Sequence, residues 1–427
     1  MPSKLSLFTY TSEEVQLNEG RSIRNGIAAT VGITIVTSFA ALFVLKPLHG
    51  SSEDVALLNS LPALMTILAT IVGANWLSRV HSKLRFCVTS TVVARIFYAL
   101  LALTPLVIPK DLMAGTAVVL IALMNLPGGL SNLSWQALIG ELIPSARRAH
   151  FFGLRNRWMT IVALLSTLIP GIVIQLFPAT SAIPYMGFFW LSFFMSAVEV
   201  YYLARHIEHR EVSVTSPQPT PLGMRTFIRH LKHPTYRRFL VAAVVFNLGW
   251  QMAWPLYSLY QIRDAGATAA WISAFNVANQ FTQILTFERW GRWSERHGTA
   301  LMLAIGGAGL AINPALTVIS TNLPYLVLVN FLVGAFVAGY TMLQFNYLLE
   351  VVPATERTSY IAHFNISIGI VGFVAPQIGL WLLYSLTMTP DMLLSAAVRF
   401  LGVFMLLWIG RPEKWRRPIK WKMKLLR

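Results

Sequence analysis

Runs of about 20 residues with few or no charges recur along this chain, and they constrain its fold more than any other feature. Segments 27–45, 84–108, 158–177 and 239–260 are examples. At 1.5 Å per residue each is long enough to cross a hydrocarbon core of about 30 Å as an α-helix. A soluble alternative fails on charge. Only 12% of the 427 residues are Asp, Glu, Lys or Arg, and a soluble domain carries about twice that fraction. The sequence therefore predicts an all-α integral membrane protein of twelve transmembrane helices. The spans fall near 25–46, 55–77, 84–108, 113–138, 157–177, 184–204, 239–260, 269–288, 299–319, 323–348, 360–384 and 391–410.

The formal charge of +17 invites a nucleic-acid reading, but the positions of the charges oppose it. Basic residues gather in alternate loops: Arg79, Lys83 and Arg85, then Arg147, Arg148, Arg155 and Arg157, then 205–238, then Arg289, Arg292 and Arg296. The intervening loops hold only Lys46, Lys110 and Arg263. This alternation is the positive-inside pattern, and it assigns both termini and the middle loop to the cytoplasm. No nucleic-acid partner is expected. The basic tail, with Trp415 and Trp421, suits anionic headgroups of the lipid bilayer. Residues 1–23 are polar, with Glu13, Glu14 and Glu19, and do not read as a cleaved signal peptide. Cys87 is the only cysteine, which excludes an intrachain disulfide and a cysteine metal site. No cofactor or metal is expected, and the short external loops point to a prokaryotic inner membrane.

The longest polar stretch between spans lies at 206–237. Its second part, 224–233, alternates apolar and basic residues like a helix on a membrane surface. The simplest division is a tail at 1–23, a six-helix bundle at 24–205, a linker at 206–237, a second six-helix bundle at 238–411 and a basic tail at 412–427. The halves are related by sequence. Glu141-Leu-Ile-Pro144, followed by Arg148 and Asn156, recurs at identical spacing as Glu350-Val-Val-Pro353 followed by Arg357 and Asn365. Asn59, Trp76 and Arg79 align with Asn276, Trp293 and Arg296. Two matches in the same order indicate duplication into two pseudo-symmetric bundles, a known architecture of secondary transporters.

These loops resemble those of the major facilitator superfamily, over essentially the whole chain outside its tails. The family's signature between spans 2 and 3 is a Gly, an acid four on, Arg next and Gly two further; Gly291, Glu295, Arg296 and Gly298 match it. In the first half Ala74, Ser78, Arg79 and His81 stand at those positions, so only Arg79 remains, with Lys83 beyond. The resemblance also places Glu and Arg at the cytoplasmic ends of spans 4 and 10, which Glu141 with Arg148 and Glu350 with Arg357 fit. It implies that these charges form a cytoplasmic gate, an ion-pair cluster that breaks when that side opens. The alternative is ordinary helix-end charge meeting headgroups. The glycine-rich motif that marks many antiporters in span 5 is reduced to Pro170-Gly171, with a looser set, Gly369, Gly372, Pro376 and Gly379, in span 11. Helix packing and kinking explain that set.

Polar stripes mark several spans. Asn125, Asn132 and Gln136 share one face of span 4; Asn247, Trp250, Gln251, Trp254 and Tyr257 share one face of span 7. Tyr340 and Gln344 lie on span 10, Thr30, Thr34, Thr37 and Ser38 on span 1, and Asn276, Asn279, Gln280 and Gln283 on span 8. In the family, spans 1, 4, 7 and 10 line the central cavity, so the resemblance turns the stripes of those four spans towards it and makes those of spans 4, 7 and 10 substrate-binding. The stripe of span 8 either lines that cavity or joins helices by hydrogen bonds. Buried ionisable groups are few. Arg95 and Glu199 suit a structural pair, Arg399 has no evident partner, and Glu199, Glu288 and His363 are the proton-coupling candidates.

The expected function is movement of a small solute, neutral polar or amphipathic, across the cytoplasmic membrane by alternating access. Drug-type proton-coupled efflux is an alternative, and a sensor or scaffold on a transporter fold is another. No Lys-Ser/Thr phosphate loop and no nucleophile with an attendant base is present, so neither ATP-driven transport nor an enzyme is expected. The expected partners are a small-molecule substrate, the bilayer, and a coupling proton or cation, with the chain acting as a monomer.

Overall fold

The structure is a computed structural model and describes residues 11–77, 80, 82–208, 223–353 and 356–410. Arg79, the tail at 412–427 and the middle of the linker lie outside the described residues, as do the side chains of Glu141 and Arg148. The first half holds α1 (Ser12–Leu45), α2 (Ser52–Leu77), α3 (Lys83–Val107), α4 (Lys110–Leu142), α5 (Ser145–Gln175) and α6 (Ile183–Ala204). A short helix, α7 (Met224–Leu231), precedes the second half. That half holds α8 (Pro234–Leu259), α9 (Ala269–His297), α10 (Thr299–Val318), α11 (Leu323–Val351), α12 (Arg357–Leu386) and α13 (Met388–Gly410). The twelve long helices correspond to the twelve predicted spans.

Several helices start where a side chain satisfies the free N–H groups of the first turn. Thr11 and Glu14 form a reciprocal capping box, with Glu14 N donating to Thr11 Oγ1 at 3.2 Å and Thr11 N donating to Glu14 Oε2 at 2.8 Å. This cap starts α1 well before the apolar run at 25. Ser82 caps α3 and Asn322 caps α11, each accepting from the backbone three residues on, at 3.1 Å in both cases. Gly298, at φ +88°, turns α9 into α10, and a β-carbon would strain that backbone.

The halves repeat each other. In the first, α1 packs on α5 and α6, α3 on α4 and α6, and α2 on α4. In the second, α8 packs on α12 and α13, α10 on α11 and α13, and α9 on α11. Every pairing recurs with its partner helix, and the halves meet through α2 on α12 and α5 on α9. Eleven of the long helices are apolar enough to cross a membrane by composition; α9 falls short because of its Asn and Gln residues. It lies between α5 and α11, so much of its surface meets protein rather than lipid.

The start of α1, the end of α6, the start of α8 and the end of α13 lie at one end of the bundle, here the terminal end; the loops at 46–51, 176–182 and 260–268 lie at the distal end. One hydrophobic cluster joins the halves distally, uniting Phe43, Leu48, Val55 and Phe189 with Leu256, Ile262, Phe275 and Met392. Towards the terminal end the clusters separate. One, around Phe239, Tyr340 and Leu348, belongs to the second half, and another, around Leu138, Leu142 and Phe151, to the first. Polar clasps follow the same division. Arg263 donates to Ser52 Oγ at 2.6 Å and to the Gly50 carbonyl at 3.2 Å, Tyr384 bonds Glu53, and Gln377 donates to Ser60 at 2.8 Å. Among the described residues the halves are therefore closed distally and apart at the terminal end.

Candidate functional site

The helices that meet between the halves line a partly open cavity of about 390 Å³. From α1 it takes Thr34, Thr37 and Ser38, from the end of α8 Ser258 and Gln261, and from α9 Asn276 and Gln280. Ala163 of α5, with Ala41, Leu42, Ile262 and Ile272, closes the rest. Among the described residues no ionisable side chain lines it.

Local geometry explains how these groups come together. On α1, Thr34, Thr37, Ser38 and Ala41 follow the i, i+3, i+4 and i+7 spacing of one helical face. α8 ends in a π-helical turn, Tyr260–Asp264, where Ala265 N donates to the Tyr260 carbonyl at 2.8 Å. Such a turn widens the helix by one residue and is frequent at functional sites. Here it places both Gln261 and Ile262 in the cavity wall. Across the wall, α5 and α9 touch closely: Ser273 Oγ donates to the Thr167 carbonyl at 2.8 Å, and a β-carbon at Gly171 would overlap that hydroxyl. A glycine at 171 is what allows the contact.

The α9 stripe divides in two. Asn279 donates to the Asn330 carbonyl of α11 at 3.2 Å, joining the two helices, and accepts from Gln283 of its own helix at 2.7 Å. Asn276 and Gln280, on the neighbouring face, point into the cavity, and no hydrogen bond within the described residues uses their side chains. The same holds for the side chains of Ser38, Ser258 and Gln261. These part-buried polar groups, without protein partners among the described residues, are free to bind water or a ligand.

The stripes predicted on spans 4, 7 and 10 lie elsewhere. Asn247 donates to the Ala243 carbonyl at 2.8 Å and to the Tyr340 hydroxyl at 3.4 Å. Gln251 donates to Asn247 at 3.5 Å, and Gln344 to the Tyr340 hydroxyl at 3.0 Å. Trp250 meets Tyr340 edge-on at 5.4 Å and Trp254 at 6.2 Å. This is one network between α8 and α11. Tyr257 receives a hydrogen bond from Arg399 at 3.3 Å. On α4, Asn125 bonds its own helix at the Ile121 carbonyl at 2.6 Å, while Asn132 and Gln136 are exposed towards the terminal end. No hydrogen bond joins the α4 stripe to the α8 stripe among the described residues.

The charged candidates separate as well. Arg95 grips Glu199 through two bonds of 2.9 and 3.0 Å in the peripheral contact of α3 with α6. Glu288 is exposed on α9. His363 is buried beneath α7, with its Nδ1 2.9 Å from the Ser359 carbonyl and its ring 4.9 Å from that of His230. Of the gate residues, Glu350 accepts from Thr299, and Arg357 donates to the Leu349 carbonyl at 3.4 Å, both within the second half. Glu295 and Arg296 are exposed, and nothing crowds the α-carbon of Gly291. The backbone N–H of Lys83 donates to Glu208 at 2.9 Å, which caps α3 from beyond α6.

A family model for the Major Facilitator Superfamily matches residues 25–287 and 239–424. The chain belongs to that superfamily. Major facilitators are secondary transporters rather than enzymes, and this chain is a multi-pass membrane transporter of that kind. A mutant form of nucleoside transporter NupG is similar in fold, with a TM-score of 0.73 at 12% identity, covering 92% of this chain and all of that one. A mutant form of peptide transporter POT gives a TM-score of 0.71 at 14% identity, covering 95% and 96%. A bacterial homologue of the human lysosomal transporter Spinster, inward-facing and unoccupied, gives 0.66 at 12% identity, covering 94% of this chain and all of that one. No curated protein matches the sequence.

Proposed function

We propose that this major facilitator carries a small uncharged polar solute across the cytoplasmic membrane, and that the cavity between α1, α5, α8 and α9 is where the solute binds. The observation that carries this reading is the pairing of hydroxyl and amide groups without protein partners and a lining that holds no charge. Hydroxyl and amide groups bind a neutral solute by donating and accepting hydrogen bonds; a charged solute would leave its charge uncompensated there. The cavity draws its walls from both halves, as a site for alternating access requires.

The terminal end carries the basic loops, so the positive-inside pattern makes it cytoplasmic and this conformation inward-facing. In that state Glu350 and Arg357, two of the residues expected in the gate, are held by their own half. The network of Asn247, Gln251, Tyr340 and Gln344, with Trp250 and Trp254, forms the wall on the side of α8 and α11; exposed Asn132 and Gln136 border the terminal opening.

A thermal-shift screen of the purified protein against nucleosides, sugars, neutral and charged amino acids and cationic drugs tests the reading, since bound ligand stabilises by mass action. Stabilisation by an uncharged polar class is expected. For that ligand, Asn276→Ala and Gln280→Ala each weaken binding by about tenfold, the value of about one good hydrogen bond, and leave the unliganded midpoint nearly unchanged. Stabilisation by charged compounds alone, or unchanged affinity in both variants, removes the assignment.

A further inference from the structure

α13 carries a buried polar face that the cavity does not use. Asp391, Ser395 and Arg399 recur at i, i+4 and i+8, which sets them on one side of the helix. All three are 0% exposed. Two of them are satisfied. Ser395 Oγ donates to the Gly249 carbonyl at 2.7 Å. Arg399 spreads its guanidinium over the carbonyls of Gly249 at 3.3 Å, Leu310 at 2.8 Å and Trp250 at 3.5 Å, and over the Tyr257 hydroxyl.

Asp391 is not satisfied. Neither of its carboxyl oxygens has a hydrogen-bond partner among the described residues. Arg399 stands two turns away, about 12 Å along the helix axis. Of the helices packed on α13, α10 contains no titratable residue. Near its distal end α12 brings only Tyr384, which bonds Glu53. The distal part of α8 brings Tyr257, and the turn after it brings Tyr260, Arg263 and Asp264. None of these bonds or ion-pairs with Asp391.

A bare carboxylate in a low-dielectric interior is among the costliest groups a protein can hold, and a bound proton removes the charge. The N-terminus of α13 favours an anion at this position, but only weakly, and none of its N–H groups reaches either oxygen. We propose that Asp391 is a proton-binding site, neutral while the distal end is closed and exchanging its proton when that end opens. Met392, the next residue, belongs to the hydrophobic cluster that joins the halves distally. Opening that end loosens the packing around Asp391 and admits water. A carboxylate oxygen then takes a proton from hydronium or buffer acid, forming the O–H bond and leaving water or the buffer base. Closure over the neutral acid is favourable, whereas closure over the anion is not. Proton binding and distal closure therefore favour each other by linkage. Only the further step, that this proton is the coupling ion, rests on the transport reading.

The test uses the full-length protein in lipid nanodiscs. Infrared spectra near neutral pH are expected to show a protonated-carboxyl C=O band that shifts in D2O, is lost in Asp391→Asn and returns in Asp391→Glu. Asparagine is isosteric with the neutral acid, and thermal unfolding of the variant is recorded alongside. Spin labels on cysteines at positions 181 and 320, in a Cys87→Ser background, report the distal end. From about pH 6 to about pH 9 the wild-type distance distribution is expected to shift towards the longer, open values, and that of Asp391→Asn to stay fixed. A wild type without the band overturns the proposal, whatever the variants do, and so does a band that persists in Asp391→Asn. Equal pH responses in the two proteins overturn the link to closure. The infrared measurement needs no solute, so its outcome is separate from that of the transport reading.

Discussion

Glu199 accepts two bonds from Arg95, and Arg95 donates a third to the Tyr98 hydroxyl at 2.7 Å, so a largely buried pair is satisfied in the contact of α3 with α6. Removing one partner strands the other. Glu199→Gln is expected to cost about 3–5 kcal/mol by leaving the guanidinium uncompensated. The double variant Arg95→Met/Glu199→Leu is expected to recover most of it, because apolar groups of similar volume replace a desolvated pair with little loss. Thermal unfolding of the purified variants checks this, and a Glu199→Gln midpoint equal to wild type contradicts it. The pair was legible in the sequence because only two long-buried charges of opposite sign lay at suitable depth in spans 3 and 6. The partners of Arg399 were not legible. Apart from the Tyr257 hydroxyl they are backbone carbonyls, which every residue has, and only the approach of α13 to Gly249 and Leu310 brings them within reach.

The amphipathic element α7 shows what packing adds to a readable pattern. Its alternation of apolar and basic residues predicted a surface helix, and a helix forms at Met224–Leu231. Its inner face, however, lies on protein. His230 is 0% exposed and stacks on Tyr360 at 3.6 Å, while Phe227 meets His363 at 5.3 Å and Arg229 pairs with Glu356 at 3.1 Å. Burial, and then the nearby His363, hold His230 below the usual histidine range. When α7 is docked His230 therefore binds fewer protons than when α7 is free. Docking strength is full above about pH 6.5, the free histidine value, and is lost as pH falls through and below it. Hydrogen–deuterium exchange over 224–231 is expected to quicken at about pH 5.5 relative to about pH 7.5, after correction for intrinsic rates. His230→Phe is expected to remove that difference, and an unchanged ratio in the variant contradicts the role of His230.

At the scale of the whole molecule, the distal contacts set which way the bundle opens. Arg263 ties the turn after α8 to the loop before α2, and Tyr384 ties α12 to Glu53 on α2. Arg263→Ala combined with Tyr384→Phe is expected to shift the population towards the distal-open form. Double electron–electron resonance between positions 181 and 320 would then record longer distances, and an unchanged distribution shows that apolar contacts alone hold the distal end. The sidedness is a separate prediction. Single cysteines at Ser181 and Ser216 in a Cys87→Ser background should label from opposite sides of the membrane with an impermeant reagent. Labelling of both from the same side contradicts the assignment of the terminal end to the cytoplasm.

Helix number, order and internal duplication were written in the chain, because long apolar runs have one economical solution in lipid and a repeated motif marks equivalent places. Even α9, too polar to pass as a span by composition, was recognisable from its place in the repeat, where Asn276, Trp293 and Arg296 answer Asn59, Trp76 and Arg79. The division of labour within each stripe was not readable. Asn276 and Asn279 are chemically alike and three residues apart; one faces the cavity and the other bonds α11, a difference of angle that depends on where α11 lies. Gln261 reaches the cavity through a π-turn that no pattern of residue types announces. Asp391 sits in the first turn of its helix, where an acid ordinarily reads as a favourable N-terminal charge meeting water. The sequence determined which residues are polar. Tertiary packing alone decided which of them meet a partner, which meet the cavity, and which are sealed away with neither, because burial and hydrogen bonding are properties of the space between helices.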